Sequence, residues 1–111
     1  MKHLLAAGGY SVGGMRRLWR ETAFRHEVLA GAAALALLLW ARATLAELLG
    51  FAVLFLVLIA TEALNTAVEE IVDRLSPDWS DMARNAKDLG SLAVLCLLGA
   101  NGLYLAAVLL N

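Results

Sequence analysis

Glu62, Asn65 and Glu69 fall within or at the end of the most apolar run of the chain, where ionisable side chains are costly enough to mark a functional site. At about 100° per residue, steps of three and seven return to nearly the same helix face. Glu62 and Glu69 therefore point the same way, roughly two turns apart, with Asn65 beside them. Two acids in register at a membrane boundary are suited to holding a metal ion or moving a proton. Lys87 and Asp88 stand just ahead of another uncharged run. They read either as an interfacial pair with a snorkelling lysine or as a cation for phosphate beside a carboxylate. Their depth, close to that of Glu69, favours the second. The Gly-Gly-Tyr-Ser-Val-Gly-Gly run at 8–14 lacks the Gly-Lys-Ser/Thr ending of a P-loop, so any nucleotide must be held by another construction.

The elements that position these residues must themselves suit a bilayer. Of the 111 residues, 61% are hydrophobic and 17% charged, which argues against a water-soluble globule and predicts a single all-α integral membrane domain, 1–111. A single proline and no low-complexity tract or repeat leave no linker or second domain. A span needs roughly 20 apolar residues, and three helices can supply one. The first is placed at about 28–43, an uncharged 28–41 segment that reaches full length with His26, Glu27 and Arg42 at the interfaces. The second, about 44–74, is longer than a membrane is thick, so Glu69, Glu70, Asp73 and Arg74 stand in the interface or cytoplasm. The third, about 87–110, carries Ser91, Gly99, Ala100 and Gly102, small residues for close helix contact.

Every basic residue except Arg42 lies before the first span or between the second and third, a distribution that the positive-inside rule makes cytoplasmic. The N-terminus is then inside and Asn111 outside, with Trp40 near the outer boundary and Trp19 and Trp79 near the inner one. Residues 1–27 do not read as a signal peptide, because glycines dilute the stretch and Arg16 and Arg17 interrupt it. They read as an interfacial amphipathic helix in which Met15, Leu18 and Trp19 dip into lipid while Arg16, Arg17 and Arg20 meet headgroup phosphates. That placement brings Glu21 and Glu27 to the level of Glu69. The polar connection at 75–86 holds the proline and reads as a loop, with Ser or Asp capping the following helix. Cys96, alone in an apolar stretch, reads as a small buried side chain.

The segments Glu62-Ala-Leu-Asn65-Thr-Ala-Val-Glu69-Glu-Ile-Val-Asp73-Arg74 and Ala86-Lys87-Asp88-Leu-Gly90-Ser91-Leu-Ala-Val94 closely resemble the prokaryotic diacylglycerol kinase family of small membrane kinases. Ala23-Phe24-Arg25-His-Glu27 and Gly9-Tyr10-Ser11 resemble it too, so the likeness covers nearly the whole chain. Glu70 departs from the pattern, adding an acid where a small residue is common.

The resemblance implies a homotrimer of three-span subunits in a bacterial inner membrane, transferring the ATP γ-phosphate to the hydroxyl of a membrane lipid, diacylglycerol, with no nucleic-acid partner. By the match, Glu62 is the general base and Asn65 orients it or a neighbouring ligand. Glu21 and Glu69 hold Mg2+. Lys87 neutralises phosphate, Asp88 positions Lys87 or touches nucleotide, and Tyr10, Asp78, Trp79 and Ser80 help enclose ATP. Lipid contacts fall to Gly9, Ser11, Arg16, Trp19, Arg25 and Ser91, besides Glu62. Two alternatives remain at this point, an undecaprenol kinase of the same architecture and a non-enzymatic assembly or ion-transport subunit. An oligomer is also expected physically, since the Glu62 face of so small a chain would meet lipid unless neighbours covered it.

Overall fold

The computed structural model describes all 111 residues. Four helices follow one another: α1 (Lys2–Trp19), α2 (Thr22–Trp40), α3 (Leu45–Leu75) and α4 (Asp81–Leu110). The last three are long and apolar enough to cross a membrane, as the run of uncharged residues in each requires.

Two helix starts come earlier than the apolar pattern places them. α2 begins at Thr22 rather than near Val28, because the polar turn from Thr22 to Glu27 contains no breaker and Phe24 is buried beneath Trp19, the two rings meeting edge-on with centroids 6.1 Å apart. α4 begins at Asp81, which shortens the expected loop to a few residues around Pro77. Ser80 caps the helix by accepting from the Ala83 amide at 3.1 Å, and its hydroxyl meets that of Ser76 at 2.8 Å. A serine at the N-cap satisfies one of the amides that a helix start leaves unpaired. At the opposite end Thr44 and Glu47 form a reciprocal capping box, at 3.1 and 2.7 Å, which fixes the first turn of α3. Only four residues, Ala41 to Thr44, separate α2 from α3, and Arg42 among them takes the left-handed conformation, φ 60°.

α3 and α4 form the main helix pair, α2 lies against both, and α1 touches only α2 and α3. Between hydrocarbon-facing helices no hydrophobic effect operates, so close contact and polar bonds must hold the pair. Asn101 supplies one such bond by donating from Nδ2 to Leu54 O at 3.2 Å while also bonding Leu97 O at 2.8 Å in its own helix. Tyr104 supplies another, its hydroxyl donating to Glu47 O at 2.8 Å. Cys96 is exposed rather than buried, because α4 turns that side away from its neighbours.

The molecule is thin, 49 × 40 × 19 Å, and only nine residues are buried. Most of α1 projects beyond the bundle: a side chain added at Gly8, Gly9 or Gly13 would meet open space. A side chain added at Gly14 would also meet open space, and the seat on the bundle is made by Arg17 and Leu18, which face Ala63, Thr66, Ala67 and Glu70 of α3. Leu18 is thus buried against protein, not lipid as the sequence suggests, and Arg17 is engaged by carboxylates rather than standing free for headgroups.

Gly50 lies directly under the Tyr104 ring, where an added Cβ would collide with the hydroxyl and ring carbons. Gly50→Ala should therefore push the ring aside, break its bond to Glu47 and cost about 1–3 kcal/mol, the range for overpacking a close contact. Tyr104→Leu in the same background should recover part of that loss. Denaturation in SDS followed by far-ultraviolet circular dichroism would test both.

Candidate active site

The chemistry-bearing residues of α3 stand where the helix leaves its apolar segment. Glu62 is 7% exposed and Thr66 8%, the two buried polar residues of the chain. Glu62 is thus covered within a single subunit, contrary to the expectation that its face would need a neighbour. Part of the cover comes from Glu27 on α2, whose carboxyl meets that of Glu62. Glu27 accordingly belongs with Glu62 rather than at the level of Glu69, and it lines an apolar cavity of about 180 Å³ with Gly31, Phe55, Leu58 and Asn101.

Asn65 resolves which neighbour it serves. Its Nδ2 donates to Glu69 Oε1 at 2.9 Å, so it orients the lower carboxylate, one turn away, and not Glu62. Gly90 of α4 makes room for it, since a Cβ there would overlap the Asn65 amide oxygen. The two motifs that stand apart in the sequence thereby meet, the glycine of the second seating the asparagine of the first.

A polar cleft of about 330 Å³ opens at the turn between α3 and α4. It gathers Asp78, Trp79, Ser80, Lys87 and Asp88, all singled out from sequence, and adds Asp73 and Arg84. Arg84, Lys87 and Asp88 share one face of the first turns of α4, as spacings of three and four require. The ion pair that Lys87 makes is with Asp73 across the turn, Nζ to Oδ1 2.6 Å, and not with Asp88. Lys87 also lies within electrostatic reach of Glu69, which ties the cleft to the carboxylates of α3. Asp73 and Arg84 were readable as charges in the sequence, but no periodicity within one helix signals a contact across a turn.

At the break between α1 and α2, Arg17 donates from Nη1 to Glu21 Oε1 at 2.7 Å and from Nε to Glu70 Oε1. These hydrogen bonds, Glu21 first and Glu70 second, raise the guanidinium above its ordinary pKa, so it stays charged. The remaining residues expected to bind lipid or nucleotide are not gathered in one chain. Gly9, Tyr10, Ser11 and Arg16 are exposed along α1, Tyr10 by 80%, and Trp19, Arg25 and Ser91 are exposed on their own helices.

Three helices long and apolar enough to cross a membrane, with carboxylates and cations collected towards one end of the α3–α4 pair, define an integral membrane protein. The chain belongs to the prokaryotic diacylglycerol kinase family, whose model matches residues 9–109. It is 54% identical over 110 residues to the diacylglycerol kinase of a Sinorhizobium species, covering 99% of this chain and 80% of that one. It is 37% identical to the Escherichia coli (strain K12) diacylglycerol kinase, covering 83% and 76% of the two chains. The Pseudomonas aeruginosa diacylglycerol kinase is 32% identical, with coverage of 100% and 91%.

Gly90→Ala should leave the fold intact, because the Asn65 side chain can rotate away, but the Asn65–Glu69 bond should break as it does so. If Glu69 holds Mg2+, turnover at limiting Mg2+ should fall by roughly 10- to 100-fold, the usual effect of losing a partner that orients a metal ligand. Adding Asn65→Ala to Gly90→Ala should cost little more. A large additional loss would show that Asn65 acts elsewhere.

Proposed function

We propose that this protein phosphorylates diacylglycerol to phosphatidic acid, with ATP as phosphoryl donor, at the end of α3 where Glu62, Asn65 and Glu69 lie beside the cleft at the α3–α4 turn. The observation that carries this reading is the joining of the two motifs, Asn65 on Glu69 and under Gly90, in a chain of this family. Family membership sets aside a non-enzymatic subunit, and the relatives' names favour diacylglycerol over undecaprenol.

Glu62 is the general base. It accepts the proton of the lipid hydroxyl as that oxygen forms its bond to the γ-phosphorus, while the bond from phosphorus to the bridging oxygen breaks and ADP departs. Burial suits this role, because a carboxylate shielded from water holds its proton-accepting position without competing solvent. Lys87, with Arg84 on the same face, compensates phosphate charge in the cleft, and Asp78, Trp79, Ser80 and Asp88 enclose the nucleotide. Glu69 and Glu21 have the donor chemistry for Mg2+, which takes one or two carboxylates and completes its shell with phosphate oxygens and water. Each has one oxygen fixed by a partner, Asn65 or Arg17. Bound there, Mg2+ offsets the charge of the transferring phosphate.

Tyr10 closes over ATP, and Gly9, Ser11, Arg16, Trp19, Arg25 and Ser91 contact lipid, in a homotrimer where the projecting part of α1 reaches a neighbouring subunit. The exposure of α1 in a single chain supports that assembly. α1 lies in the interface with Met15 and Trp19 toward lipid. The N-terminus faces the cytoplasm and the C-terminus the outside of a bacterial inner membrane, as the basic residues favour. Purified protein in mixed micelles with labelled ATP and Mg2+ tests the reaction: diacylglycerol should be phosphorylated and undecaprenol should not.

Glu62→Gln should keep the fold and nucleotide binding while lowering turnover by at least the ~100-fold typical of a lost general base. Near-normal turnover would remove that assignment. Mixing inactive Glu62→Gln subunits with inactive Glu69→Gln subunits should restore part of the activity if one site draws on two chains. No recovery, with mixing demonstrated, would mean that each chain carries a complete site.

A further inference from the structure

Glu21 occupies the N-cap of α2, yet its side chain makes no capping hydrogen bond. Glutamate is not among the residues favoured there. Its carboxylate turns back instead to Arg17, whose Nε holds Glu70, the neighbour of Glu69 on α3. The three side chains are 31, 43 and 55% exposed for Arg17, Glu21 and Glu70, and ion pairs so open to solvent add little stability. Their use is geometric. A planar guanidinium presents its donors at fixed angles, so one arginine sets the distance between carboxylates on two different helices. Arg17 occupies Oε1 of Glu21 and leaves Oε2 to a further ligand. Two carboxylates on one guanidinium leave the cluster net negative, so a cation beside it is not repelled.

We propose that Arg17 is a positioning residue for metal binding: tethered to Glu70 on α3, it fixes Glu21 at the level of Glu69 so that both carboxylates serve one divalent cation. This rests on the assignment of Glu21 and Glu69 as the metal carboxylates. Glu70, outside the family pattern, then has a function as the anchor of the tether. The break at Arg20–Glu21 is the point at which α1 and α2 must be held in register with α3.

The probe is Mn2+ bound with a non-hydrolysable ATP analogue to the full-length protein in mixed micelles, followed by electron paramagnetic resonance, alongside the Mg2+ dependence of turnover. Arg17→Gln should weaken Mn2+ binding and raise the half-saturating Mg2+ by ~10- to 100-fold. The kcat at saturating Mg2+ and the KM for diacylglycerol should stay near wild type. Arg17→Lys, which keeps the charge and loses the fork, should restore only part of the affinity. Glu21→Gln should weaken binding at least as much as Arg17→Gln, and the double variant should be no worse than Glu21→Gln alone. Glu70→Gln tests the same tether from its other end should Arg17→Gln fail to assemble, and should weaken binding in the same direction. Wild-type affinity in Arg17→Gln or Glu70→Gln, with weakened affinity in Glu21→Gln, overturns the tether and leaves the metal assignment standing. Wild-type affinity in Glu21→Gln overturns the assignment and the tether with it. Additive losses in the double variant overturn the positioning role, since Arg17 would then act independently of Glu21.

Discussion

The length of α3 is the constraint on which the site depends. Its 31 residues extend about 46 Å at 1.5 Å per residue, against roughly 30 Å of hydrocarbon. One uninterrupted helix therefore carries an apolar span and, without a hinge, a polar extension bearing Glu62, Asn65, Glu69 and Asp73 in fixed register. A reaction between a water-soluble phosphate donor and a lipid alcohol needs such a rigid ruler across the boundary. In the reaction proposed above, Glu62 would receive the lipid hydroxyl, and the cleft with Lys87 and Arg84 at the α3–α4 turn would receive the phosphate donor.

The other helices are arranged around that ruler by few but directed contacts. Gly90 lets α4 approach closely enough to lock Asn65, and the short turn around Pro77 brings Lys87 to Asp73. Glu27 brings a second carboxyl to Glu62 from α2. In a chain with so little buried surface, these polar contacts specify which helix faces meet, a task that apolar packing alone leaves open in lipid.

Helical periodicity made the shared face of Glu62, Asn65 and Glu69 legible, and the hydropathy runs gave the three spans. The cleft around Asp78–Ser80 and Lys87–Asp88 was legible because its members are close in sequence on either side of one turn. What escaped depends on crossings between helices. Period alone shows that Arg17 and Leu18 share a side of α1, not that this side rests on α3. The same gap explains why Asp73 rather than Asp88 pairs with Lys87, and why Glu62 is buried already in one chain. The start of α2 at Thr22 was hidden because its first turns are polar, and hydropathy marks where a helix enters lipid rather than where it begins.

The turn from Ala41 to Thr44 bears on how the protein reaches its membrane. It joins α2 to α3 with a single charged side chain, Arg42. Inserted as a helical hairpin, this pair carries one guanidinium, the Glu47 carboxylate and a few backbone groups across the bilayer, a small polar load for two spans. The capping box at Thr44 and Glu47 satisfies part of that load internally. Biogenesis of the hairpin is thereby nearly free of the translocation barrier that a long hydrophilic loop would impose. The left-handed backbone at Arg42 is a modest conformational cost set against that ease of entry.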